Sequence, residues 1–93
     1  MNLSDPSEVH PLPLWGAMVG RSRYAEIVIE NLEVSRQHAQ LTYEEGKVLI
    51  EDLESTNGTL LNGKKVNHSE MRDGDRFTVG DTTYVLKRDK IGE

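Results

Sequence analysis

From Ala17 to Leu86 the chain consists of short apolar runs of about four to seven residues, each closed by a turn signal. No window sustains the 3.6-residue period over the ten or more positions that a helix usually takes. The runs Ala17-Met18-Val19, Glu26-Ile27-Val28-Ile29, Ala39-Gln40-Leu41-Thr42-Tyr43, Lys47-Val48-Leu49-Ile50-Glu51, Thr59-Leu60-Leu61, Arg76-Phe77-Thr78-Val79 and Thr83-Tyr84-Val85-Leu86 are predicted strands. Ala39, Leu41 and Tyr43 share one face, as do Phe77 and Val79, while Ile27 and Ile29 oppose Glu26 and Glu30 across the pleat. Glu45-Gly46, Asn57-Gly58, Asn62-Gly63, Asp73-Gly74-Asp75 and Gly80-Asp81 supply the turn chemistry between them. A single open sheet of such strands would leave one apolar face wet. The predicted fold is therefore all-β, a sandwich of two mainly antiparallel twisted sheets with functional loops at one end.

The first residues differ from the rest, because all three prolines, Pro6, Pro11 and Pro13, fall there. Proline lacks the donor a ladder needs. Residues 1–16 thus read as an arm or irregular edge segment, with Leu12–Trp15 as an extended strap anchored by Trp15. Residues 17–88 read as the sandwich and 89–93 as a C-terminal tail. A first strand this short predicts an uncovered edge, through which the chain could pair with a second copy.

The chain has 93 residues, 35% of them hydrophobic and 29% charged, enough for one domain with one modest core. No run approaches the ~20 apolar residues of a membrane helix and no secretory leader is legible, so a cytoplasmic location is expected, or a nuclear one in a eukaryote. The formal charge of −5 argues against a general nucleic-acid partner, since a polyanion is repelled at long range. A local basic pocket for one anionic group remains compatible with it, because distant exposed charges are screened beyond about 8–10 Å. There is no cysteine, and His10, His38 and His68 lack metal-ligand spacing, so neither metal nor cofactor is expected. Ser35, His38 and Asp52 could be imagined as a triad, but triads are recognised by geometry, and no nucleophile elbow or nucleotide loop accompanies them. No residue is assigned a catalytic role, and the chain is not read as an enzyme.

Four loop clusters carry the functional signal: Gly20-Arg21-Ser22-Arg23, Ser35-Arg36-Gln37-His38, Ser55-Thr56-Asn57-Gly58-Thr59 and Asn62-Gly63. Arg21 precedes Ser35 by room for one strand, which could return both loops to one end of the sandwich. In order and spacing the clusters, followed by Asp73-Gly74-Asp75 and Val79-Gly80, resemble the forkhead-associated (FHA) domain, a phosphothreonine-binding β-sandwich. The resemblance covers roughly residues 17 to 87.

The resemblance implies a role for each matching position. Arg21 matches the phosphate-contacting arginine, whose planar fork donates two parallel bonds and never loses its charge. Ser35 matches the serine whose hydroxyl meets the phosphate, and Arg36 and Thr56 the neighbours that lend charge, hydroxyl or amide to it. Asn57 matches the asparagine that grips the peptide main chain, which a carboxamide does as donor and acceptor together. Taken alone, Asn57-Gly58 is equally a hairpin corner, Thr56 a turn threonine and Arg36 a solvated charge. Gly20, His38, Gly58 and Asn62 are assigned to shaping the pocket without touching ligand. Arg23 could read peptide acids or face water, and the water-facing reading is taken; the stretches 30–33 and 51–54 could pair with Arg36 or repel acidic peptides, or be solvated loop charges. The implied function is recognition of phosphothreonine-containing protein segments in Ser/Thr kinase signalling or assembly. The alternative is a phosphate-independent interaction or autoregulatory scaffold, dimerising through the N-terminal edge.

Overall fold

The computed structural model describes residues 2, 8, 10–13 and 15–87. Leu14 of the strap, part of the arm and the expected tail at 89–93 lie outside the described residues. The strands are β1 (Ala17–Gly20), β2 (Ile27–Val28), β3 (Ala39–Glu44), β4 (Lys47–Asp52), β5 (Thr59–Leu61), β6 (Lys64–Val66), β7 (His68–Met71), β8 (Arg76–Val79) and β9 (Thr82–Val85). They form one sheet in the order β2-β1-β3-β4-β7 and a second in the order β6-β5-β8-β9. Every pairing is antiparallel except β1 with β2, which is parallel over Val19↔Ile27 and Gly20↔Val28. A parallel neighbour normally needs a long crossover. Here the 21–26 loop suffices because β2 contributes only those two residues.

The period-2 alternation read from the sequence is the alternation that builds the core. Val19, Ile27, Ala39, Leu41, Val48, Ile50 and Met71 from one sheet meet Phe77, Val79 and Tyr84 from the other, joined by Ile29 and Val34. Phe77 and Tyr84 stack with centroids 5.4 Å apart and an interplanar angle of 16°, a cross-strand pair from the register Phe77↔Tyr84. The β3–β4 and β5–β6 hairpins turn on Glu45-Gly46 and Asn62-Gly63, with φ of 52° and 79°, and 50° and 85°. Two successive positive φ values match the right-handed twist of the flanking strands.

Strands β6 and β7 are additions to the sequence reading. Each is the edge of its sheet, and their burial is confined to Met71, with Val66 and Ser69 half-buried. An edge strand with one wet face and lysines along it leaves no apolar period to read.

The N-terminal expectations need correction. Trp15 is 80% exposed and anchors nothing, whereas Leu12 packs on the core. The open edge beside β1 does not exist, because β2 and β3 flank that strand on both sides. Asn2, Glu8 and His10 of the arm lie instead against the other sheet, where Asn2 forms an antiparallel bridge to Tyr84 at the edge strand β9. Glu8 fastens it, accepting from the Tyr84 hydroxyl at 2.6 Å and from Asn2 Nδ2 at 2.9 Å and pairing with His10 at 2.6 Å. The Tyr84 and His10 contacts, with Asn2 added, hold the Glu8 carboxyl down at about 2 against the opposing effect of burial. Among the described residues no helix is long and apolar enough to cross a membrane.

Candidate functional site

The site is built where β1 ends. A Cβ on Gly20 would stand 2.0 Å from the Arg36 carbonyl oxygen and 3.1 Å from that of Ser35. Only glycine lets the 34–36 segment cross the strand end this closely. The crossing is then locked: Arg21 N–H donates to Ser35 O at 3.0 Å and Ser22 N–H to Arg36 O at 3.2 Å. The Arg21 side chain joins in through Nε, which donates to Val34 O at 3.0 Å. One edge of the guanidinium is thus fixed by main chain, and its terminal nitrogens are left for the cleft.

His38 supplies the second lock. It is fully buried, and its Nδ1 accepts from the Ser35 amide at 3.1 Å. An acceptor nitrogen carries no proton, so the neutral ring holds its hydrogen on Nε2, which donates to Gly58 O at 2.7 Å. The imidazole therefore ties the Ser35 loop to the 53–58 loop that carries the chain from one sheet to the other. Gly58 takes φ 87° there, and the Lys65 side chain passes within 2.5 Å of where its Cβ would be. Both ring nitrogens are engaged with main chain, and His38 is not placed to act as a base on Ser35.

Ser35 Oγ accepts from the Thr56 amide at 3.1 Å. This fills a lone pair and leaves the hydroxyl hydrogen to donate elsewhere. The Thr56 amide is thereby taken, and of the donors expected there only its exposed hydroxyl remains. Asn57 is not a hairpin corner: it lies in the inter-sheet loop and its Nδ2 donates to Glu33 O at 2.7 Å, leaving the carboxamide oxygen and one N–H for a ligand. Asn62 is held apart from the site. It sits at the far end of β5, where its carboxamide receives Arg76 N–H at 3.0 Å and donates to Asp75 at 3.2 Å, so it fixes the second sheet and does not shape the pocket.

Asp52, read with its stretch as a partner of Arg36, a repeller of acidic peptides or a solvated charge, instead organises the 53–58 loop. Its Oδ1 accepts from Ser55 Oγ at 2.5 Å and Thr59 Oγ1 at 2.8 Å, and its Oδ2 from Ser55 N–H at 3.2 Å. Ser55 Oγ in turn accepts from Gly58 N–H at 2.9 Å. Burial pushes the Asp52 carboxyl up, but the Ser55 and Thr59 donors outweigh it, and the group ends below the usual range. The Ser-x-x-Gly spacing of residues 55 to 58 was a readable sign of this bracket; the carboxylate beneath it was not.

The resulting cleft, of ≈ 410 Å³ and widely open, is lined by Arg21, Ser22, Arg23, Tyr24 and Arg36. Arg23 lines this cleft and is itself exposed to water, as expected. Its Nη2 donates to the Tyr24 hydroxyl at 3.1 Å, with the guanidinium carbon 5.1 Å from the ring centroid. Among the described residues none of the three arginines has a carboxylate within ion-pairing distance, although the chain is acidic overall. Guanidiniums without a carboxylate partner can bind an anion with several acceptor oxygens. Among the described residues no group of three or more His, Asp or Glu is placed to hold a metal ion.

Residues 17–80 match the family model described as the FHA domain. The chain is 38% identical over 75 residues, 81% of its length, to the ABC transporter ATP-binding/permease protein Rv1747 of Mycobacterium tuberculosis, of which it covers 9%. It is 30% identical over 70 residues, 75% of its length, to the FHA domain-containing protein FhaA of the same organism, of which it covers 13%. The chain therefore spans a small part of these relatives. The crystal structure of the FhaA FHA domain complexed with the intracellular domain of Rv3910 is similar over 90% of this chain and 93% of that one, with a TM-score of 0.83 and 29% identity. Family match, sandwich topology and the ordered loop clusters agree, and the chain belongs to the FHA domain family.

Proposed function

We propose that this chain is a phosphothreonine-reading module that docks onto phosphorylated protein segments in Ser/Thr kinase signalling or assembly. The observation that carries this is the Arg21–Val34 bond: it anchors one edge of the Arg21 guanidinium at an open cleft that Arg36 also lines, and among the described residues no carboxylate pairs with either arginine. A phosphothreonine brings about −1.5 to −2 charge and three strong acceptor oxygens. Arg21 and Arg36 meet the charge, Ser35 and Thr56 add hydroxyl donors, and Asn57 takes the peptide main chain beside the phosphate. An unphosphorylated segment leaves these donors facing water, so phosphorylation acts as the switch.

The work is binding, without turnover. Ser35 Oγ receives an amide, and His38 has both nitrogens on main chain, so the pair offers no activated nucleophile. The FhaA relative, whose FHA domain is complexed with another protein's intracellular domain, supports a protein partner. A location on the cytoplasmic side, where protein kinases have ATP, goes with this reading.

The test is fluorescence anisotropy against degenerate phosphothreonine, phosphoserine and unphosphorylated peptide pools, with Arg21→Ala as the control protein. Binding confined to the phosphorylated pools and lost in Arg21→Ala is expected. No phosphate-dependent binding by the folded wild-type domain would overturn the reading.

A further inference from the structure

The cleft holds more positive charge than one phosphate group uses. Arg21 and Arg36 both line it, and between them they already match the charge of a single phosphothreonine. Arg23 is the surplus cation, and it is not a loosely solvated one. Ser22 Oγ accepts from the Tyr24 amide at 3.1 Å, Ser22 O accepts from the Ala25 amide at 3.0 Å, and Ala25 is buried, so the 22–25 turn is rigid. On that turn the Arg23 guanidinium is held against Tyr24, whose ring is itself 76% exposed. A long side chain fixed this way binds with less loss of rotamer freedom than a free surface arginine.

Resting on the phosphothreonine reading, we propose that Arg23, presented by Tyr24, is a specificity-determining residue that takes a second anionic side chain of the bound peptide, carboxylate or phosphate. Arg21 and Arg23 line one cleft, so the second anion is a near neighbour of the phosphothreonine in the peptide. The other side of the site disfavours acids there. Asn57 is bonded to the main chain of Glu33, and the Glu33 and Glu54 side chains are exposed and without a cation within ion-pairing distance among the described residues. The peptide is therefore expected to lay its acidic residue toward the 21–24 turn.

The experiment measures affinity for three peptides that share one phosphothreonine: neutral flanks, a glutamate within two positions on either side, and a second phosphothreonine at the same place. Wild type, Arg23→Ala, Arg23→Lys, Tyr24→Leu and Arg21→Ala are compared. Wild type is expected to favour the acidic peptides over the neutral one by about threefold to tenfold, an exposed pair being weakened by solvent and salt. Arg23→Ala should erase that preference by weakening the acidic peptides more than the neutral-flank one, Arg23→Lys should retain part of it, and Tyr24→Leu should reduce it. The two acidic peptides tell carboxylate from phosphate. Equal loss on all three peptides in Arg23→Ala would show that Arg23 serves the first phosphate, and no loss on any would return it to solvent; both overturn the proposal. If wild type binds no phosphopeptide, the phosphothreonine reading itself falls; if wild type binds in an Arg21-dependent way but shows no preference that Arg23→Ala removes, that reading stands and the Arg23 proposal alone falls.

Discussion

Arg21 and Val34 are joined side chain to main chain: Arg21 Nε donates to the Val34 carbonyl at 3.0 Å, while the Val34 side chain is 1% exposed in the core. Val34 also packs on Gly80, at whose position a Cβ would meet it at 2.8 Å. The candidate phosphate-binding arginine is thus referenced to the packed interior, although its terminal nitrogens open to solvent. Preorganisation of this kind separates a built anion site from a patch of surface charge.

Arg21→Ala removes charge-assisted bonds worth roughly 1.5–3 kcal/mol each, and is expected to weaken phosphopeptide binding about ten- to a few hundred-fold while the domain stays folded. Arg21→Lys should recover little, because an ammonium cannot hold the Val34 carbonyl and present a fork together. Anisotropy with circular dichroism on both variants checks this, and near-wild-type affinity in Arg21→Lys would contradict it.

Gly20→Ala forces a methyl onto the Arg36 carbonyl. With main chain as the obstacle there is no side chain to swing away, so the 34–36 crossing must shift. A loss of about 2–4 kcal/mol in urea unfolding is expected, in the range of overpacking and strain, with loss of phosphopeptide affinity even where the protein remains folded. A fully stable Gly20→Ala with unchanged binding would show the crossing to be slack.

His38→Ala leaves the Ser35 amide and the Gly58 carbonyl without their partner in a buried setting. Each unsatisfied group costs about 1–3 kcal/mol, so a destabilisation of about 2–5 kcal/mol is expected, read by chemical denaturation. Amide exchange should quicken in the 35–38 and 55–58 loops before it does in β3 and β4. Wild-type stability in this variant would mean that the imidazole bridges nothing of consequence.

Glu8 is a depressed carboxyl, held down at about 2 chiefly by the Tyr84 hydroxyl. A folded-state value below the unfolded one contributes stability that is complete above the unfolded value and is lost as pH falls toward the folded one. Thermal melts should therefore drop between about pH 4.5 and 2, by about 1–2 kcal/mol once solvent screening is allowed for. Glu8→Gln should flatten that part of the profile and leave phosphopeptide binding at neutral pH intact, since none of Asn2, Glu8 and His10 lines the cleft. Equal acid sensitivity in Glu8→Gln would show that the clasp is not formed.

The sandwich was legible because alternation along Ala39–Tyr43, Ile27–Ile29 and Phe77–Val79 can be satisfied only by a buried face, and that information is local. Strands β6 and β7 were not, because Lys64-Lys65-Val66 and His68-Ser69-Glu70-Met71 are strands only through their neighbours. Trp15 misled for the opposite reason: a large aromatic reads as an anchor, but only packing decides which apolar side chain is covered, and Leu12 is.

For the site, the sequence determined the chemistry. It named an arginine after a glycine, a serine three residues before a histidine, and an asparagine before a glycine, each with a bonding capacity fixed by its atoms. Tertiary structure decided the assignments that depend on distance between remote residues. It gave His38 to Gly58, Thr56 to Ser35, Asp52 to the loop above it and Arg23 to the cleft wall, and it removed Asn62 to the other end of β5. Residue identity sets what a side chain can donate or accept; which partner stands within about 3 Å of it is set by how the two sheets close on one another.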